Sequence, residues 1–395
     1  MSESFDFVIV GKGMMGAAAA RHLSRSGARI ALVGPDEPED WAGHGGVFAS
    51  HHDNARITRT IDSDPVWARL ARGSIDRYRE IAEESGIDFY FEVGCLIAAP
   101  MPGGAFDYLE KVERARDRLG VEAPLIPGDR LAERFPWFRF PAAYAGIHEA
   151  RGAGYINPRA LVRAQTIAAE RAGARVVRSE VVAIDEGADH VVVGTVDGQS
   201  FRAGRILVAA GGFSLSEALL PRPIDLTVKA RTVFFAEVGR DDLAGFAGMP
   251  SLIGAAPEQE KSYYLLPPVA YADGRHYIKI GGDPNDRILP SEPAIRTWFR
   301  GGASAAAADH MRGLLAEVMP GLAPVSAHFS PCVTSFTRHG YPYVDFVGDR
   351  IAVLTGGNGQ AAKSSDEIGR LGATLLMNGR PDAGEYETDF AVAYR

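Results

Sequence analysis

Phe5-Asp6-Phe7-Val8-Ile9-Val10 runs straight into Gly11-Lys12-Gly13-Met14-Met15-Gly16 and on into Ala17-Ala18-Ala19-Ala20-Arg21-His22-Leu23. An apolar run, a glycine turn and an alanine-rich stretch in that order predict a strand, a tight turn and a helix. In such a unit Gly11 permits the turn, Gly13 lets backbone approach a pyrophosphate, and Gly16 lets the helix pack close to the strand. The phosphates then sit at the helix N-terminus, where free amides and the positive dipole end meet them, with Met14 and Met15 in the first turn. Gly27-Ala28 leads to a second strand, Arg29 to Val33. The motif therefore reads as dinucleotide binding. The acid expected at the end of that strand, where a ribose hydroxyl is held, is Gly34 here, and Asp36 is the nearest substitute.

The chain has 395 residues, 46% hydrophobic and 23% charged, enough for a full core and two or three domains. Its formal net charge is −8, with acids and bases mixed along the chain, so neither nucleic acid nor an anionic membrane is an expected partner. The first apolar run is short, ends in a glycine turn and follows no basic stretch, which suits a buried strand and not a signal peptide. No run approaches the roughly 18 apolar residues of a membrane span, and a cytoplasmic location is the expectation. The two cysteines, Cys95 and Cys332, are too few for a disulfide framework and lack metal-ligand spacing, so no metal is expected.

Further pieces of α/β pattern are scattered along the chain. Pro158 to Ala172 reads as a helix closed by Gly173, followed by a strand, Ala174 to Val177. A hairpin comes next, with Val191 to Val196, a turn at Asp197-Gly198 and a second arm from Phe201. The apolar runs Arg205 to Ala210 and Arg350 to Thr355 end in the glycine pairs Gly211-Gly212 and Gly356-Gly357, where ligands of open α/β sheets bind. Residues near 89–100 and 223–285 hold short alternating strands that suggest an antiparallel sheet. The expected fold is α/β in two domains: a discontinuous Rossmann-like nucleotide domain (1–88, 145–222 and 326–395) and an antiparallel-sheet substrate domain (89–144 and 223–325).

Taken in order, these pieces resemble the D-amino acid oxidase superfamily of FAD enzymes, and within it the monomeric sarcosine oxidase and N-methyltryptophan oxidase branch. The resemblance implies FAD as cofactor, its ADP half on the glycine motif, and implies site residues at four places. Ser50-His51-His52-Asp53-Asn54-Ala55-Arg56-Ile57-Thr58-Arg59 is similar to the family segment Ser-His-His-x-x-x-Arg-x-x-Arg. It puts Arg56 and His52 beside the flavin, with Ser50 and His51 on the cofactor side, and Arg59 on a substrate carboxylate through a charge-assisted pair. A solvated loop with surface salt bridges is the alternative.

Cys332, in Phe329-Ser330-Pro331-Cys332-Val333-Thr334, stands where the branch forms a thioether to the flavin 8α-methyl carbon. A thiolate is the nucleophile, so a basic neighbour would help; otherwise Cys332 is a small buried hydrophobe, as Cys95 is expected to be. Gly359-Gln360-Ala361-Ala362-Lys363 aligns with the family's Gly-His-Gly-Phe-Lys. The resemblance implies that Lys363 lies against flavin N5 and speeds reaction with oxygen, against the alternative of a plain helix-start lysine. Tyr264 takes the place of the family tyrosine over the flavin face, while Asp283 and Thr334 replace a histidine and a tyrosine. Asp283 either faces water or adds negative charge to the pocket. Val181, Gly211, Gly357, Gly359 and Gln360 complete the expected cofactor contacts.

The function so implied is oxidation of a secondary or primary amine on a small carboxylated molecule, with molecular oxygen as acceptor and hydrogen peroxide as product. The oligomeric state expected is a monomer or small homo-oligomer. Two rivals stand beside it: a dehydrogenase of the same fold with a different electron acceptor, and a flavin-binding subunit without chemistry.

Overall fold

The computed structural model describes residues 3–395, so Met1 and Ser2 of the first expected domain segment lie outside the described residues. Glu3–Val10, Met14–Ser24 and Ile30–Val33 form the strand, helix and strand that the glycine motif predicts. Ala17 to Ala20 are wholly buried, because side chains this small are what let the helix lie close on the sheet. Gly16 shows how close: a Cβ there would sit 1.9 Å from the Gly11 carbonyl oxygen.

The first sheet runs in the order Val181–Glu186, Val191–Thr195, Ser200–Val208, Glu3–Val10, Ile30–Val33, Arg175–Val177. Ile351–Thr355 also pairs with Ser200–Val208 and carries Tyr343–Phe346 on its other side. Glu3–Val10 is parallel to both neighbours, and a parallel sheet covered on both faces explains why its strands read as continuous apolar runs. One expectation needs correcting. The second hairpin arm and the run ending at Ala210 are not separate elements but one strand, Ser200–Val208. Gly204 does not break it; a Cβ there would stand 2.9 Å from the Asp6 carbonyl oxygen, so the glycine marks close approach of the neighbouring strand.

The second sheet runs Ala327–Thr337, Leu226–Val238, His276–Gly281, Tyr263–Ala270, Ser251–Gly254, Cys95–Pro100, Tyr144–Glu149, Leu125–Ile126. It is antiparallel apart from the pairing of Ser251–Gly254 with Cys95–Pro100. Two expected domain boundaries move. Tyr144–Glu149 and Ala327–Thr337 belong to this sheet and not to the nucleotide sheet. The latter pairs with Leu226–Val238 from Leu226 opposite Thr337 to Ala236 opposite Ala327. A strand's own pattern shows that it pairs but not with what, and a partner about 100 residues earlier in the sequence leaves no local signal. Cys95 is fully buried, and burial pushes its thiol up to about 12, so it is a packing residue.

A small sheet of Arg56–Thr58, Gly154–Ile156 and Tyr90–Phe91 holds the arginine segment. The C-terminal helix Ala361–Asn378 crosses the first helix at Gly369, where a Cβ would meet that of Ala18 at 2.3 Å. Among the described residues no helix is long and apolar enough to cross a membrane, and no group of three or more His, Cys, Asp or Glu is placed to hold a metal.

Candidate active site

A cleft of about 770 Å3 is lined by the glycine turn, by both large sheets and by the start of the C-terminal helix. At one end stand Gly11, Gly13, Met14 and Met15. Gly11 has φ +109°, and a Cβ there would lie 2.4 Å from the Ala209 carbonyl oxygen, so only glycine fits the turn. At Gly13 a Cβ would clash with nothing and make only an ordinary van der Waals contact with His51 Nδ1 at 3.8 Å. Gly13 also caps the helix with no side-chain hydrogen bond, so the first-turn amides are unsatisfied by any cap. Free amides on the cleft wall suit a diphosphate. Gly16 does not line the cleft; it serves the packing behind it.

Asp36 lines this end and is ion-paired with Lys12, while Val181 and Gly211 line the cleft further along. The absence of an acid at position 34 has a steric cause. A Cβ on Gly34 would stand 2.5 Å from the Lys12 amide nitrogen. Any ribose contact from this strand end must come from beyond it.

The histidine-arginine segment is no solvated loop. Ser50 Oγ donates to the Val333 carbonyl oxygen at 3.0 Å. Burial pushes His51 well below the ordinary histidine pKa and His52 down to about 4, so both rings are neutral near pH 7. The His52 ring lies 5.8 Å from that of Trp41, and its Nδ1 is buried without a partner. Arg56 is ion-paired with Asp53 and donates to the Ser50 carbonyl at 3.0 Å and to Cys332 Sγ at 3.4 Å. Cys332 is half-buried on the cleft wall, with the Arg56 guanidinium as its basic neighbour.

Tyr264 packs its ring over Gly281, its cross-strand partner, where a Cβ would come within 2.3 Å of the ring. Beneath the same ring lies a residue that sequence reading missed. Lys279 is wholly buried, with Nζ 5.7 Å from the Tyr264 ring centroid, 2.6 Å from Asp53 Oδ2, and bonded to the Ala55 carbonyl. Burial and the nearby Arg56 push its pKa well below that of an ordinary lysine, against the pull of Cys332. The signal was present: a lysine inside the apolar run Tyr277 to Ile280 has to be paired if that strand is central. Asp283 lines the cleft rather than facing open water, and its carboxylate also accepts from the Thr232 amide at 2.9 Å and the Asn285 amide at 3.1 Å, so it secures backbone as well. Thr334 Oγ1 is buried without a partner.

At the far end, Gly357, Gly359 and Gln360 lead to Lys363. This lysine is no exposed helix-start residue. It is 2% exposed, and its Nζ lies 2.8 Å from Asp62 Oδ2, the same oxygen that accepts from Arg59 Nη2 at 2.8 Å. Burial lowers Lys363 to about 8, with Asp62 holding it from falling further. Lys363 and Arg59 thus share one carboxylate. Asp62 and Glu149 were not legible in the sequence: Asp62 pairs with the nearby Arg59 but also with the distant Lys363, and Glu149 acts on backbone. Glu149 is buried and accepts from the Thr60 and Ile61 amides at 3.0–3.1 Å.

The model of the family described as DAO, FAD dependent oxidoreductase, matches residues 6–375. Monomeric sarcosine oxidase of Bacillus sp. (strain B-0618) is 24% identical over 388 residues, covering 97% of this chain and 94% of the relative. N-methyl-L-tryptophan oxidase of Citrobacter koseri is 23% identical over 387 residues, covering 95% of this chain and 96% of the relative. Among solved structures, NikD, an unusual amino acid oxidase, superposes with a TM-score of 0.77 at 20% identity, covering 99% of this chain and 98% of that one. Glycine oxidase from Geobacillus kaustophilus does so with a TM-score of 0.71 at 19% identity over the whole of both chains. The solved structures speak for the fold.

Proposed function

The chain belongs to the DAO family of FAD-dependent oxidoreductases, and on that premise we propose that it oxidises a secondary (N-methyl or N-alkyl) or primary amine on a small carboxylated molecule. The observation that carries this reading is the cleft itself, with a phosphate-ready glycine turn at one end and two buried cations, Arg59 and Lys363, at the other. FAD bound there would supply a two-electron acceptor, so that the amine would lose a hydride equivalent and a proton to become an imine that water hydrolyses, with O2 taking the electrons and two protons as hydrogen peroxide. Gly11, Gly13, Met14 and Met15 would hold the diphosphate through backbone amides, and Asp36, which lines the cleft, would be the acid available to the ribose. His52, being neutral, orients by hydrogen bonding and adds no charge. Tyr264 frames the amine.

Lys363 shares Asp62 with Arg59, and we infer from this that it serves the acyl end of the substrate rather than the oxygen step. Lys279 lies buried under Tyr264 and paired with Asp53, and we assign to its amino group the stabilisation of charge that develops as electrons pass to O2. Each of these lysines is matched by a carboxylate, Asp62 or Asp53, which also favours a second reading in which another acceptor replaces oxygen. Peroxide formed per flavin reoxidised in air separates the two. The amine reading itself is tested by anaerobic bleaching of the flavin across a panel of N-methyl, cyclic and glycated amino acids, and no bleaching by any of them removes it.

Two expected results follow from the same geometry. The yellow colour should stay with the polypeptide in acid, through a thioether at Cys332, whose sulfur Arg56 activates; quantitative release of free flavin from the wild-type protein would rule the bond out. Arg59→Lys should lose the planar fork and weaken substrate binding or turnover by about 1.5–3 kcal/mol. Unchanged kcat/KM in a flavin-loaded variant would make Arg59 a structural residue.

A further inference from the structure

Two buried cations at one end of a cleft are what grips a carboxylate, because charge-assisted contacts are short, strong and poorly replaced by water. In this chain that grip is already engaged from within. Asp62 is 1% exposed, and its Oδ2 takes both Arg59 and Lys363 at 2.8 Å, while its Oδ1 accepts from the Asp64 amide at 3.1 Å. The cations keep some capacity, since Arg59 Nε is buried without a partner. Asp62 itself is not placed to withdraw. Glu149 holds the Thr60 and Ile61 amides immediately before it, and Asp64 begins the helix Pro65–Ile75 immediately after, accepting from the Val66 and Trp67 amides.

A substrate carboxylate entering between these cations meets the like charge of Asp62 where little water is present to screen it. An amide or ester meets no such repulsion, yet its carbonyl oxygen accepts from the same donors. Resting on the amine-oxidation reading above, we propose that Asp62 determines substrate specificity here: an internal counter-ion to Arg59 and Lys363 that lets amines bearing an amide or ester bind on equal terms with those bearing a free carboxylate. The pocket then selects by the amine and by the neutral part of the molecule lying against Tyr108 and Tyr263, which also line the cleft.

The test uses the flavin-loaded protein and two isosteric probes, acetate and acetamide, titrated against the flavin absorbance without turnover. In the wild type the two dissociation constants should lie within about tenfold of each other. In Asp62→Asn, which keeps volume but removes the charge, acetate should bind at least tenfold tighter while acetamide changes little. A wild type that prefers acetate by a hundredfold overturns the proposal, whether or not the variant folds. Acetate affinity unchanged or weakened in the variant overturns it too, leaving Asp62 as a holder of Arg59. If acetate discriminates between the proteins as expected but no amine bleaches either flavin, the amine reading falls and the counter-ion role stands.

Discussion

Lys279→Met should slow reoxidation of the reduced flavin by oxygen by a factor of about 10²–10³, while anaerobic reduction by substrate changes far less. The substitution keeps length and apolar bulk and removes the amino group that lies wholly buried beneath Tyr264, paired with Asp53. Charge stabilisation in such a site acts only where negative charge develops, and that is the step in which oxygen collects electrons. Lys363→Met should behave in the opposite way. Its ammonium is bound to the carboxylate that also holds Arg59, so its loss should weaken substrate binding and reduction and leave reoxidation near wild type. Stopped-flow traces of the flavin absorbance time the two half-reactions separately. Equal reoxidation in Lys279→Met and wild type would return the oxygen role to Lys363 or to neither lysine. A wild type that reoxidises no faster than free reduced flavin would favour another electron acceptor.

Asp366→Asn should cost about 3–5 kcal/mol of stability, because it removes one partner from a buried ionic cluster and leaves the others uncompensated. Asp366 is fully buried on the C-terminal helix, one turn beyond Lys363. Its carboxylate accepts from Arg77 Nε at 2.6 Å, lies 3.2 Å from His22 Nε2, and also contacts Gln165 and Arg21. These residues come from the first helix, from the segment before Tyr78–Ser85 and from the helix Pro158–Arg171, so one side chain ties together the layer under the site. Burial alone would raise its pKa, but His22, Arg77 and Arg21 overcome that and hold it well below the carboxylate range. A depressed carboxylate contributes its full stability above the ordinary pKa of about 3.9 and loses it as pH falls through the folded value. Denaturant unfolding should therefore show a large gap between the proteins near neutrality that closes toward acid. A gap under about 1 kcal/mol near neutrality would show that the cluster relaxes without its centre.

The resemblance and the glycine motif together anticipated the cleft to a large extent, because motifs of this kind act through local geometry. Gly11, Gly13 and Gly16 have their roles from the turn and helix they begin, and the order of strand, turn and helix is written in consecutive residues. Ser50, His51, His52, Arg56 and Arg59 likewise stay together in space because the chain between them is short. The boundary errors have the opposite cause. Ala327–Thr337 and Tyr144–Glu149 read correctly as strands, yet the sheet each joins depends on distant partners.

Charge pairing obeyed the same division. From the sequence alone come the nucleotide-binding start, the two-sheet α/β class and the presence of Arg59, Cys332 and Lys363 at positions where chemistry is expected. Only the tertiary structure decides that Asp62 neutralises both Arg59 and Lys363, that Lys279 is a buried amine held by Asp53, and that Asp283 both lines the cleft and secures backbone amides. The physical reason is that a side chain's charge is local to the sequence, whereas its field, its solvent exposure and its counter-ion belong to whatever the fold brings within a few ångströms of it.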